Sequence, residues 1–127
     1  MPGQSSFDYA IVRIVPQVER EEFINAGVIL RCREQRFLAA QVELDRARLR
    51  ALAPNLDLEM VQAELDLIPL VCAGGAAGGA IGELSQAERF RWLTSPRSTI
   101  VQVSPVHCGL CDDSQAALDD LFEKMVK

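Results

Sequence analysis

Alternation of hydrophobic and polar positions predicts three strands in the first third of the chain. In "FDYAIVRIVP", the odd-numbered positions from Tyr9 to Val15 share one face and the even-numbered positions share the other. Both faces are mostly apolar, so we expect this strand to lie centrally in a sheet. The stretches "FINAGVILRC" and "FLAAQVEL" predict two further strands, and Gly27 within the first indicates a bulge or a close backbone approach. The three strands together predict an antiparallel meander.

Helical spacing replaces this alternation after residue 44. Asp45 is a suitable N-cap for a first helix that runs to Pro54. In the next segment four apolar residues recur at helical spacing, which predicts a second helix packed on the sheet: Leu58, Val61, Leu65 and Ile68. We expect Pro69 to end or kink this helix, because proline lacks the backbone N–H that the helix ladder needs.

The remainder of the chain predicts two more helices and one more strand. "SQAERFRWL" opens with Ser85 and has Glu88 three residues later, which is a capping box. "STIVQV" predicts a fourth strand, and "SQAALDDLFEKMVK" predicts a closing helix. The order β-β-β-α-α-α-β-α indicates an α+β fold, with a mostly antiparallel sheet of about four strands and about four helices. We expect residues 1–127 to form one domain, with a flexible Gly-rich loop at 74–82.

Composition narrows the classes of function. The chain has 127 residues, 49% of them hydrophobic, and a formal net charge of −5. The negative charge argues against general attraction to nucleic acid or to anionic lipid. No apolar run approaches the roughly 18 residues that would span a bilayer. The first residues lack the basic and apolar segments of a signal peptide, so we expect a cytoplasmic protein with reduced cysteines.

The densest chemistry lies in "PRSTIVQVSPVHCGLCDD", residues 96–113. Arg97 with the hydroxyls of Ser98 and Thr99 could hold a phosphate or a carboxylate, or could form a loop that caps the preceding helix. His107 could act as a general base, and Ser104 is one of its local polar neighbours. This proximity along the chain does not establish the geometry of a nucleophilic triad.

Cys108 and Cys111 form a Cys-x-x-Cys pair, which can ligate zinc or carry redox chemistry. Zinc requires four ligands, and no second Cys-x-x-Cys pair is present. Two acids, Asp112 and Asp113, follow at once and disfavour a thiolate. We therefore predict no metal and no cofactor, and we interpret the pair as small residues in a turn before a helix.

Two polar residues interrupt apolar strands and are further candidates. Arg13 could be buried and could join a site with Arg97 or pair with an acid. Asn25 could point into a ligand cleft or could bond the backbone at a bulge. Trp92 is expected to lie in the core at the end of its helix.

Two stretches carry a resemblance to a known family. "YAIVRIVPQVEREEFINAGVIL" and "RFRWLTSPRSTIVQVSPVHCGLCDD" resemble a bacterial family of uncharacterised proteins, domain of unknown function 3037. The family pattern is matched by Pro96 to Thr99, by Ser104 to His107, and by Gly109-Leu110 followed by an acid. The family position of Cys108 often holds another residue, so the resemblance implies that the shared polar set is Arg97, Ser98, Asn25 and His107. Neighbouring genes often encode HipA-like kinase proteins, which implies a protein partner.

These observations favour a small non-catalytic protein that binds a partner, and the resemblance implies a HipA-like kinase-fold protein as that partner. One alternative is a domain or enzyme that binds phosphate or a nucleotide through Arg97, Ser98 and His107. Another is a small zinc or thiol protein that uses Cys108 and Cys111. The candidate binding residues are Arg13, Asn25, Arg97, Ser98, Thr99, Ser104 and His107.

Overall fold

The computed structural model describes residues 4–17, 20, 22–97 and 99–127. Within these residues the fold is α+β, as predicted, with five strands and five α-helices. The elements in chain order are β1 (Ser5–Ile14), β2 (Ile24–Cys32), β3 (Phe37–Val42), α1 (Arg46–Leu52), α2 (Leu58–Ala73), α3 (Gly79–Gly82), α4 (Gln86–Leu93), β4 (Val101–Val103), β5 (His107–Cys111) and α5 (Ser114–Met125). The predicted order is confirmed, with β5 and the one-turn helix α3 as additions. No helix within the described ranges is both long and apolar enough to cross a membrane.

The sheet is antiparallel and has β1 at its centre. On one side β1 pairs with β2, which pairs with β3. On the other side two short strands share β1: β4 pairs with its C-terminal part and β5 with its N-terminal part. The central position predicted for the first strand is therefore confirmed, and β4 and β5 form an interrupted edge.

A bulge in β2 explains Gly27. Val12 pairs with Gly27 and Arg13 pairs with Asn25, so one residue of β2 is left without a partner at this point. A Cβ on Gly27 would lie 2.7 Å from the carbonyl oxygen of Gln41, closer than such atoms can approach. Both predictions for this glycine, a bulge and a close backbone approach, are confirmed.

Helices cover both faces of the sheet. One face, hereafter the α2 face, packs against α1, α2 and α4, and the four residues of the predicted apolar stripe in α2 are all buried there. The opposite face, the α5 face, packs against α5 through a second cluster that contains Phe7, Ile11 and Leu118. The two faces of β1 therefore contribute to separate cores, which is why both of its faces are apolar.

Side chains cap the N-terminal ends of α1, α4 and α5. Asp45 accepts a hydrogen bond from the Arg48 N–H at 3.0 Å, as its predicted role requires. Ser85 and Glu88 form the predicted capping box, and the hydrogen bonds from Ser85 lower the pKa of the Glu88 carboxyl. Asp113 caps α5. The sequence therefore contains the start signals for these helices.

Two segments differ from expectation. Of the two effects expected of Pro69, an end of the helix is wrong, because α2 continues through Pro69 to Ala73. Residues 74–82, predicted as a loop, contain a 3₁₀ turn (Ala76–Gly78) and α3. Their glycines permit close packing, since a Cβ on Gly82 would lie 2.2 Å from the carbonyl oxygen of Gly75. Tight helical turns rather than an open linker therefore explain the glycine content.

Candidate functional site

An open cleft lies on the α2 face where the sheet ends at β4. Its volume is about 210 Å³. The walls are formed by α2, by the end of α4, by the segment that leads into β4 and by β4 itself: Glu64, Leu67, Ile68, Trp92, Leu93, Arg97, Thr99, Val101, Gln102 and Val103. Most of these side chains are apolar, and two carry charge. The cleft brings together parts of the chain that are almost 40 residues apart.

Arg97 is held in the wall of this cleft. Its guanidinium lies 4.3 Å from the centre of the Trp92 ring and donates from Nη2 to the Trp92 carbonyl oxygen at 2.6 Å. The side chain remains exposed. Within the described part of the chain, no carboxylate lies within 4.0 Å of it. Arg97 is therefore a positioned cation that can still take an acidic partner.

The hydroxyl of Thr99 is used within the protein. It donates to the carbonyl oxygen of Val101 at 2.8 Å, while Gln102 Nε2 donates to the Thr99 carbonyl oxygen at 2.7 Å. The third member of the predicted Arg-Ser-Thr set, Ser98, lies outside the described residues. The arrangement thus supplies Arg97 to the cleft and commits the Thr99 hydroxyl to shaping the start of β4.

Ser104 is a structural residue at the break between β4 and β5. It is 2% exposed, and its Oγ accepts from the Ile11 N–H at 2.9 Å and donates to the Pro105 carbonyl oxygen at 2.9 Å. Its own N–H donates to the Ile11 carbonyl oxygen at 2.8 Å. Ser104 therefore bonds β1 with both its backbone and its side chain, and no polar atom of the side chain points into the cleft.

The structure does not bring Arg97 and His107 together. His107 pairs with Tyr9, and the two rings lie 5.4 Å apart. Tyr9 belongs to the α5 face, whereas Val101 and Val103 in the cleft belong to the α2 face. Paired residues of neighbouring strands project to the same face, so His107 and Arg97 lie on opposite sides of the sheet.

Arg13 and Asn25 also lie on the α5 face. They pair across β1 and β2, and the Arg13 guanidinium is 4.3 Å from the centre of the Phe23 ring. Asn25 Nδ2 donates to the Met125 carbonyl oxygen at 2.9 Å, which ties the end of α5 to the sheet. The polar residues of the first two strands therefore do not contribute to the cleft.

Cys108 and Cys111 do not converge. They are three residues apart on β5, so their side chains project to opposite faces. Cys111 is buried against α5, where burial raises the pKa of its thiol, Ser114 lowers it and the acids at 112 and 113 raise it further. Cys108 is exposed. The described residues contain no group of three metal-ligating side chains, and the two thiols cannot jointly hold one ion in this arrangement.

Sequence reasoning missed the α2 wall of the cleft. Leu67 in this wall is 41% exposed, although it belongs to a helix that is rich in apolar residues. Leucines outside the buried stripe of an amphipathic helix were the available signal. Trp92, predicted as core, is half-buried: it packs against the core and also supports Arg97.

Comparison with known proteins identifies a family and nothing more specific. No curated protein and no solved structure matches the chain. The model of one family, described as protein of unknown function (DUF3037), matches residues 9–126. This range includes all of β2 to α4, the walls of the cleft and both halves of the sheet edge. The chain therefore belongs to the DUF3037 family of proteins of unknown function.

Proposed function

We propose that this protein is a non-catalytic binding protein, and that the cleft beside β4 receives a protein partner. The observation that carries the proposal is the placement of Arg97 on Trp92 next to the exposed Leu67. Tryptophan and arginine are the residues most enriched among those that dominate binding energy at protein interfaces. Trp92 and Arg97 beside apolar side chains therefore have the composition expected of a protein-binding interface.

The dimensions of the cleft also favour a protein over a small molecule. Pockets for small ligands usually measure about 300–1,000 Å³ and enclose most of the ligand. The cleft measures about 210 Å³ and is partly open to solvent. One or two side chains of a partner fit that volume better than a nucleotide does.

Catalysis has less support from the geometry. Within the described part of the cleft, Glu64 and Arg97 are the ionisable groups, and the Thr99 hydroxyl is bonded to Val101. His107, the sole histidine, lies on the other face. The alternative of phosphate or nucleotide binding thus retains Arg97 in the cleft, whereas the acid–base group His107 lies outside it.

A HipA-like kinase-fold protein is the partner that we propose to test first, because the family resemblance implies a genetic association with such proteins. We also propose that the protein works in the cytoplasm, where its four free cysteines would stay reduced. Three of them are buried and could not readily exchange with other thiols.

The test is co-expression with the HipA-like product of the neighbouring gene, followed by size-exclusion chromatography and calorimetry at micromolar concentration. We expect a complex that Arg97→Ala weakens about tenfold, which corresponds to a hot spot of about 1.4 kcal/mol. Arg50→Ala is the matched control, since Arg50 is an exposed arginine on α1 outside the cleft. Equal binding by wild type and Arg97→Ala would contradict the assignment of the cleft, and absence of any complex would remove this partner. A rise in melting temperature with nucleotides that Arg97→Ala abolishes would favour the phosphate alternative instead.

A further inference from the structure

We infer that β4 binds an extended segment of the partner as an added strand, with an acidic side chain on Arg97 and an aliphatic side chain in the cleft. This inference rests on the proposed function, because it specifies the form and chemistry of what the cleft receives. Three features carry it: the free backbone edge of β4, the position of the cleft under that edge, and the charges in its walls.

The backbone of β4 presents unused groups at the edge of the sheet. The Val15 N–H donates to the Ile100 carbonyl oxygen, and the Ser104 N–H donates to the Ile11 carbonyl oxygen. In an antiparallel pair, every second residue of a strand exchanges backbone hydrogen bonds with its neighbour. Gln102 therefore also bonds to β1, and the backbone groups of Val101 and Val103 point away from β1. The outward carbonyl of Val101 accepts from the Thr99 hydroxyl, which leaves two N–H groups and the Val103 carbonyl for another strand.

The cleft lies where alternate side chains of an added strand would point. Val101 and Val103 project towards the α2 face and form part of the cleft wall. Residues of an added strand that pair with them would project to the same face. Such residues are two apart in sequence, about 6.8 Å along the strand. Backbone pairing gives affinity in this mode of recognition, and pockets for alternate side chains give specificity.

The charges in the cleft specify the side chains of the segment. Arg97 is the cation among the described lining residues, and it is already oriented by Trp92. A carboxylate on the bound segment would form a charge-assisted, bidentate pair with it. Glu64 on the α2 wall disfavours a second acid, whereas Leu67 and Ile68 favour an aliphatic side chain. The expected motif is therefore one acid and one aliphatic residue separated by one position.

The addition is limited to β4 by the break that follows. Ser104 to Val106 separate β4 from β5, and Pro105 has no N–H to donate. Breaks and prolines of this kind protect sheet edges from pairing along their whole length. A short added strand must then derive much of its affinity from the side chains in the cleft, which is why Arg97 is expected to matter.

The experiment selects ligands from a displayed library of random twelve-residue peptides and measures the synthetic peptides by calorimetry. We expect the selected peptides to share an acid and an aliphatic residue two positions apart, and to lose at least tenfold in affinity on Val103→Pro. The Val103 N–H points outward, so this proline removes a donor for the added strand and no bond of the fold. Leu110→Pro is the matched control: Leu110 is at an equivalent outward position of β5, away from the cleft, and should leave the affinity within twofold.

A second measurement uses the wild-type protein alone and covers the case in which Val103→Pro does not fold. Two peptides are compared, each with N-methyl groups on every second residue but on alternate sets of residues. Methylation should abolish binding when it falls on the residues whose N–H groups face β4, and should be tolerated on the residues between them, because an added strand faces β4 with every second residue. Equal tolerance at all positions would overturn strand addition, as would full affinity for a folded Val103→Pro protein.

The outcomes separate this inference from the proposed function. A HipA-like partner that binds wild type and Val103→Pro equally, yet loses affinity on Arg97→Ala, would support the cleft and overturn the added strand. Selected peptides that depend on both residues, with no complex to the HipA-like protein, would support strand addition and remove only that partner. A dimer of the free protein that Val103→Pro dissolves would assign the edge to a second copy of the chain and overturn the partner segment.

Discussion

Removing the hydroxyl of Ser104 should destabilise the fold without touching the binding surface. The hydroxyl accepts the Ile11 N–H at 2.9 Å at a site where Ser104 is 2% exposed. The neighbouring bond, from the Ser104 N–H to the Ile11 carbonyl oxygen, follows the normal ladder. The Ser104 hydroxyl oxygen thus replaces the Ser104 carbonyl oxygen as the acceptor for the Ile11 N–H at the break before β5. In Ser104→Ala the Ile11 N–H would be buried with no acceptor.

The size of the loss follows from that orphaned donor. A buried backbone N–H left without a partner costs about 1–3 kcal/mol. The second bond of the hydroxyl, to Pro105, lies next to an exposed residue, and water can replace part of it. We therefore expect a loss of about 2 kcal/mol in the free energy of unfolding. With a urea m-value of about 2 kcal/mol/M, the midpoint should fall by about 1 M.

Urea unfolding followed by circular dichroism measures this shift. Ser6→Ala is the control, because Ser6 is an exposed serine on the same central strand. The control should change the free energy of unfolding by less than about 0.5 kcal/mol. A similar small change for Ser104→Ala would refute the role of its hydroxyl as a substitute for a ladder carbonyl. At a temperature where the variant is folded, its affinity for selected peptides should match that of wild type.

Three further predictions concern thiols and packing. Cys108 is the exposed cysteine, so Ellman's reagent at about pH 8 should label one thiol rapidly, and Cys108→Ser should remove this phase; a second fast thiol would contradict the burial of the others. Burial raises the pKa of the Cys72 thiol to about 12, and the charge of Arg89 opposes this rise. The thiol of the unfolded chain ionises first, so the free energy of unfolding should fall by about 1.4 kcal/mol per pH unit above about pH 9. Urea unfolding of Cys72→Ala should show a slope that is shallower than that of wild type by this amount, because the raised pKa of Cys111 still contributes; equal slopes for the two proteins would refute the prediction. Gly27→Ala should cost about 1–3 kcal/mol, since its Cβ would meet the Gln41 carbonyl; an unchanged urea midpoint would show that the strands can separate there.

Much of the fold was predictable because local signals and tertiary packing agree. The alternation in β1 predicted a strand with two apolar faces, and the structure uses each face for a separate core. The helix starts at Asp45 and Ser85 were readable because a capping side chain acts within four residues of sequence. Where the physical cause is local, the sequence pattern is sufficient.

Strand β5 was missed because its cause is not local. "HCGLC" contains glycine and two cysteines and has no alternation that would predict a strand. It becomes one because the ten-residue β1 extends beyond the three residues of β4 and needs a partner for its N-terminal half. Gly109 suits this pairing, since a Cβ there would lie 2.7 Å from the Phe7 ring. Only the length of the neighbouring strand shows why this segment is extended.

The break between β4 and β5 also explains why the histidine could not be assigned from sequence. In β4, Val103 pairs with Val12 on the α2 face. If that register continued without a break, His107 would pair with Asp8 and project to the same face as the cleft. The register instead shifts by one residue, and His107 pairs with Tyr9. A shift of one residue moves every later side chain to the opposite face. The same shift keeps Cys111 in the core under α5, so the packing of the closing helix and the separation of His107 from Arg97 have one origin. Deleting the extra residue between β4 and β5 would join the two strands in one register and leave His107 paired with Tyr9. Sliding β5 by one residue along β1 would bring the histidine to the α2 face, but only by removing Cys111 from the core under α5.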